Sequence, residues 1–446
     1  MLVVEPNAVP YNDPPTITRS TTATYINSSG SMVTAAINEV RFTYNPVTLD
    51  YEGMLLEPAR TNRFTSSASL SGTVSVSGLV TGETYTLSFY GSGTVTYTGG
   101  SLVGVAGTFP ANRVSKTVVA TGTSMTFTAS GTVSSAQIEL GTWASSYIAT
   151  SGAVVTRAAD VVSPAYTTES RILYTNVTEA AATWSSATTY AINEYVMYKG
   201  RAYQSLQAAN TNNNPITATT WWKDIGVGRV YSPFDSSSST SAYGSLGGSI
   251  SYVIDGNFDY VALFNIIANS FNSVIVEIAA RHTTNGTLYT TKTTLTSRKD
   301  TQVFLSTLGN ICNLVSFKIT PTSGVDIVFL GTAVFGGSTD IGATQYGATA
   351  GIVDYSKKET DAFGNTTFVQ RAFSKRLSAK VLVDNTNLNT VQQLLYSVRA
   401  KPSIWIASED PAFKDTMVVY GFYRDFSTDI AYPSHSICNL EIEGLV

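Results

Sequence analysis

The sequence predicts a mainly β protein of several domains: β-sandwiches of jelly-roll type, a small three-stranded aromatic module, and a C-terminal α+β domain with one helix. Three observations carry this. Short runs of β-branched and aromatic residues recur, each closed by a glycine: Thr84–Gly91, Thr94–Gly99, Lys116–Gly122, Ser124–Gly131 and Ser134–Gly141. Several alternate with period two, as antiparallel sandwich strands do. Only 13% of residues are charged while 43% are hydrophobic, so cores form and solubility rests on Ser, Thr, Asn and Gly. One stretch alone has a convincing helical period, with Leu388, Val391, Leu394, Leu395 and Val398 on one face.

Composition also excludes some functions. A net charge of −4 gives no broad basic footprint for nucleic acid. The two cysteines, Cys312 and Cys438, rule out a disulfide-rich scaffold. Either they pair, or each is a small buried residue, and their alternation with polar neighbours favours burial. No apolar run reaches the length of a membrane span. The opening, MLVVEPNAVPYNDPP, lacks the layout of a signal peptide, so the expectation is a protein made and folded in a cytoplasm without its own export signal.

The 446 residues divide into four parts. Residues 1–163 are an N-terminal arm plus a sandwich. Pro6, Pro10, Pro14 and Pro15 remove donors and fix φ, so the start is an arm or wrapped strand. It is either terminal disorder or a segment that orders on a neighbouring subunit. Residues 164–228 are a Thr/Ser/Ala connector and the aromatic module. Residues 229–341 form a second sandwich; there Val274, Val276 and Ile278 face one way and Ile275 and Glu277 the other. Residues 342–446 are the α+β part, in which Asp384 to Asn387 offer helix caps and Pro402 ends the helix.

The module holds three of the five tryptophans, Trp184, Trp221 and Trp222, with Tyr190, Tyr195, Tyr198 and Tyr203 between them. Such rings suit stacking on sugars or anchoring a protein contact. Alternation puts an aromatic on both faces of the Tyr195–Tyr198 strand, and a thin module buries one face fully. Tyr198, Tyr203 and Trp222 are the expected exposed platform. Trp221 and Trp184 are further candidates, with Asn212 and Asn214 as amides to bond sugar hydroxyls. The competing reading packs these same rings into the module's own core or against a neighbouring subunit.

Catalytic and metal chemistry leaves little trace. His282 and His435 read as turn histidines, and neither histidine nor cysteine has metal-ligand spacing. No nucleophile elbow or phosphate loop is present, and no cofactor is expected. Glu409 with Asp410, and Asp255 with Asp259, are carboxylate pairs in turns; turn formation outweighs glycoside hydrolysis for both. The Lys357–Asp361 cluster is a solvated loop, or a set of ion pairs between copies in a ring.

Four spans are similar to known families. Thr16–Asn62 resembles a segment that recurs in bacteriophage tail and virion proteins. It keeps Arg19, Thr24, Tyr25, Arg41, Phe42, Pro46, Val47, Thr48, Gly53, Leu55, Leu56, Glu57, Ala59, Arg60, Thr61 and Asn62, with Met54 where an aliphatic residue is usual. Gln137–Ser163 matches that family's ending, and Gly342 to Val446 is similar to phage virion proteins combining the same parts. The module's spacing resembles a small chitin-binding module, with its Lys199-Gly200 turn and the strand Arg201–Ser205. The resemblance implies a carbohydrate-binding-like first sandwich, a shape that does not by itself imply sugar binding. It also implies a non-enzymatic structural component of a phage tail (fibre, appendage or adaptor) located in the virion and assembled in the host cytoplasm. The implied partners are other tail proteins, copies of itself and host-surface glycan, with no nucleic acid and no membrane insertion.

Overall fold

The computed structural model describes residues 1–9, 16–163, 170–235, 237, 239–270, 273–296, 302–307, 309–360, 363–410, 413–430 and 432–445. Pro10, Pro14, Pro15, Ser236, Ser238 and Asp361 lie outside them. The chain is mainly β, with 53% strand and 4% helix.

The first sandwich follows from alternation. In Ser124–Ser130, Met125, Phe127 and Ala129 are buried while the serines and threonines between them are exposed. A sheet ordered Gly100–Val103, Thr94–Tyr97, Ser124–Ser130, Gly72–Ser77 faces one ordered Arg113–Val119, Thr84–Tyr90, Ser134–Leu140. Phe64, Leu87, Phe89, Phe127 and Ile138 fill the space between.

The second sandwich has a five-stranded sheet ordered Arg171–Thr175, Ile250–Phe258, Cys312–Pro321, Val274–Arg281, Leu288–Leu295. Its core gathers Val276, Ile278, Tyr252, Phe317 and Phe335. Arg171–Thr175 belongs to this sheet, so the sandwich begins before the aromatic module and not at residue 229. The module is an excursion from it. Glu179 fastens the two ends of the excursion together: its carboxylate accepts the Arg229 and Val230 N–H groups at 2.8 and 3.0 Å. Arg229 Nη1 donates back to the Thr178 carbonyl at 3.1 Å.

The N-terminal arm is no loose end. Leu2–Pro6 pairs antiparallel with Val328–Asp340 on one side and Ser403–Ile406 on the other, with Val3 opposite both Thr339 and Trp405. It thereby joins the second sandwich and the C-terminal part into one eleven-stranded sheet. The division at 341/342 separates two cores but not two sheets. Val3 packs into the C-terminal core and Val4 against Tyr260 and Ile404. Each contributes about 1.5–3 kcal/mol by burial.

The helix is Leu388–Ser397, burying Val391 and Leu395. Its cap differs from expectation. Asn387 makes no side-chain cap bond, and Asp384 instead accepts from the Thr386 N–H and hydroxyl at 2.8 and 2.7 Å. Cys312 and Cys438 are both free and buried, in the second-sandwich and C-terminal cores respectively. Burial pushes the Cys312 thiol up to about 11.

The Thr16–Asn62 segment is held by a buried ion network. Arg41 donates to Glu57 at 2.8 Å and to Asp160 at 2.6 Å, Arg19 to Asp160 at 2.9 Å, and Arg157 to Glu57. Ser146 adds its N–H and hydroxyl to Glu57 at 2.8 and 2.7 Å. Burial alone would raise the Glu57 pKa, but Arg157, Arg41 and Ser146 outweigh it and bring it down to about 2. Asn62 is saturated: it donates to the Ala136 and Ile148 carbonyls and accepts from the Phe64 and Ile138 N–H groups. Gly53 has φ +87°, and a Cβ there would lie 2.8 Å from the Ser316 side chain. Only glycine lets this strand approach the second sandwich so closely. Met54, fully buried beside Leu173, Val253 and Leu314, fills the seam.

Candidate functional site

The module is a three-stranded sheet, Tyr195–Tyr198, Arg201–Ser205 and Trp222–Val227. Its first hairpin turns on Lys199 and Gly200, both with positive φ (46° and 72°), the geometry that matches strand twist in a two-residue turn. Tyr190–Thr189 pairs with Asn210–Thr211 as a separate lip.

The expected platform is only partly a surface. Tyr203 and Trp222 are core residues, packed with Tyr190 and Val196. Tyr190 meets Trp222 edge-on at 5.3 Å, and the Trp222 indole N–H donates to the Asn213 carbonyl at 2.8 Å. The physical reason is size. A sheet of three short strands has no second layer of its own, so its largest rings make the core. Trp184, Tyr198 and Trp221 pack on this core while staying half-exposed. Trp184 and Tyr198 meet edge-on at 5.2 Å, Asn214 Nδ2 donates to the Tyr198 hydroxyl at 3.1 Å, and Lys199 Nζ lies 5.8 Å over the Tyr198 ring. The structure thus brings together Trp184, Tyr198 and Asn214. Asn212 is exposed at φ +56°.

The rim holds charge and apolar surface. Arg201 grips Asp224 with two bonds, 2.8 and 3.1 Å, a solvent-exposed pair worth about 0–1 kcal/mol. Burial, then Asp224, raise the Tyr203 hydroxyl's pKa. Ile192, Tyr195, Leu206, Ile216 and Ile225 are all exposed.

Of the two carboxylate pairs, Asp255 with Asp259 has structural duties. Asp255 accepts from the Arg171 N–H and Nε at 2.8 and 2.9 Å, and Asp259 from the Ser338 N–H and hydroxyl. His282 follows the end of strand Val274–Arg281 and accepts from Asn285 N–H at 3.3 Å; His435 opens the last strand. Among the described residues no group of three or more His, Cys, Asp or Glu is placed to hold a metal ion. Among the described residues no helix is long and apolar enough to cross a membrane.

Sequence reasoning missed a cleft in the seam between the two sandwiches, lined by Glu52, Tyr90, Arg113, Trp143 and Arg281. A faint signal existed: in a chain so poor in charge, Arg281 closes a strand in which Glu277 is the only other charged residue. No protein-family model matches the chain, and no curated protein matches it closely enough to count as a relative.

Proposed function

We propose that this chain is a structural, non-enzymatic component of a bacteriophage tail that assembles as a symmetric multimer and touches host-surface glycan through the aromatic module. The observation that carries the assembly reading is a two-stranded ribbon, Lys357–Thr360 with Thr366–Val369, every residue of which is exposed. Around it Phe363 is 91% exposed and Phe368 74%. The ribbon continues outward the pairing of Thr349–Asp354 with Phe373–Asp384, and aromatic surface of this kind is normally covered by a partner. The segment 350–376 has five Lys or Arg against three Asp or Glu in a chain of net charge −4, so a second copy offers a surface of opposite sign.

The test is light scattering of the eluting full chain beside a version with 357–369 replaced by a short Gly-Ser turn. The full chain is expected to be a multimer and the shortened chain a monomer. A monomeric full chain would sink the assembly reading. For the module, Trp184→Ala with Tyr198→Ala is expected to cut adsorption to host cells at least about tenfold once copies act together, without lowering thermal stability much. Trp222→Ala is expected instead to destabilise the module by about 3–5 kcal/mol, read as lost amide protection over 184–227.

The exposed aliphatic residues Ile192, Leu206, Ile216 and Ile225 favour a second reading, in which the module is a subunit interface. Branched aliphatic surface fits a protein partner better than a sugar face. Cross-links from the module to another copy, with unchanged host adsorption in the double variant, would decide for it.

A further inference from the structure

The seam between the two sandwiches encloses a cleft of about 270 Å³. It is small beside ligand pockets of roughly 300–1,000 Å³, which limits an occupant to about one sugar ring. Arg113 and Arg281 both line it. The buried Nε of each has no hydrogen-bond partner in the protein. Their recorded bonds go to neutral oxygens: Arg113 Nη2 to the Ser88 hydroxyl at 2.9 Å and Arg281 Nη2 to the Glu52 carbonyl at 3.2 Å. Among the described residues neither guanidinium is in an ion pair.

The acids nearby offset this charge only in part. Glu57, also on the wall, is committed to Arg41 and Arg157. Burial raises the Glu52 pKa against the opposing pull of Arg281, and its carboxyl accepts a long bond, 3.4 Å, from Asn45. Burial lowers the Arg281 pKa although Glu52 and Glu57 pull the other way, and an anion in direct contact would add to their pull. Tyr25, Tyr90 and Trp143 give the cleft an aromatic side, beside aliphatic lining from Ile26, Met32 and Leu55. The Trp143 indole N–H donates to the Thr284 carbonyl at 2.9 Å and so pins that wall across the seam.

We propose that this cleft binds a carboxylate-bearing sugar ring, a uronic acid residue, with its carboxylate on Arg113 and Arg281, its hydroxyls on Glu52 and its apolar face against the aromatic wall. Guanidinium edges match a carboxylate's two oxygens, and a carboxyl with spare acceptor capacity suits hydroxyl donors. The site is distinct from the module and does not depend on the tail reading.

The test is calorimetric titration of the full chain with glucuronate, glucose and the methyl ester of glucuronate. Glucuronate is expected to bind, with glucose and the ester at least about tenfold weaker because a buried charge pair is lost. Arg281→Gln should weaken glucuronate at least tenfold, with an unchanged melting temperature as the fold control. Should that variant fail to fold, Arg113→Gln gives the same reading. Trp184→Ala should leave glucuronate binding intact, which separates this site from the module. No binding up to about 20 mM glucuronate, where even a millimolar site saturates, overturns the proposal. So does equal binding of the ester, or full affinity in both arginine variants.

Discussion

Glu57→Gln is expected to destabilise the folded chain by about 3–5 kcal/mol, because it leaves the buried Arg157 guanidinium without its ion-pair partner and takes from Arg41 one of its two, Asp160 being the other. Arg41, Arg157 and Glu57 are each at most 3% exposed, so water cannot replace what the carboxylate supplies. The matched control is Glu83→Gln on the surface, expected to stay within about 0.5 kcal/mol of the parent. Urea unfolding of the three proteins measures the difference. A loss below about 1 kcal/mol would rank the network with exposed ion pairs and refute the argument.

The same residue sets an acid limit. Glu57 has a folded-state pKa of about 2, below the roughly 4.3 of an unfolded glutamate. A depressed carboxylate contributes stability that is full above the unfolded value and is lost as pH falls through the folded one. Unfolding midpoints of the parent should therefore fall between about pH 5 and pH 2, and that slope should flatten in Glu57→Gln. An equal slope in both would assign the acid sensitivity elsewhere.

Val3→Asp is the second large effect, again about 3–5 kcal/mol, since it sets an unpaired charge in a dry core. Val3 is fully buried with Leu377, Trp405 and Leu440. The damage should be regional. Amide exchange is expected to speed up in Ser403–Ile406 and Gly336–Asp340, the two neighbours of the Leu2–Pro6 strand, while the first sandwich, whose core is separate, keeps its protection. Unchanged protection in both flanking strands would mean that the arm is dispensable to the sheet.

Much of the architecture was readable from the residues, and the failures share one cause. Alternation in Ser124–Ser130 told which side chains go inside, and the period of Leu388–Val398 told where the helix lies; in Val274–Arg281 it told which face meets the sandwich core, but not that Glu277 and Ala279 on the other face are buried too. Lys199-Gly200 announced its turn. These are local properties of the chain. What alternation does not carry is a strand's partner. LVVEP reads as an arm because its neighbours, residues 336–340 and 404–406, are most of the chain away. RILYT reads as linker because its partner lies beyond the module. At the candidate site, Trp184, Tyr198 and Trp221 remained on the surface, whereas Tyr203 and Trp222 were drawn inside. Alternation placed them on a face, but which face is buried depends on what covers it. The seam cleft was invisible for the same reason: Glu52, Arg113 and Arg281 come from three separate stretches.

The central place of Leu2–Pro6 has a consequence for the order in which the molecule is made. These residues are made long before one of their two partners, which ends at residue 406. Until that partner emerges the segment is a sticky, unmatched strand, while the first sandwich, whose contacts lie between residues 64 and 138, can already be complete. Closing so long a loop comes late and slowly, so the eleven-stranded sheet locks only once residue 406 has emerged. Truncated products would retain a folded first sandwich but expose the arm and its unfilled slot, a state prone to mispairing with other nascent copies.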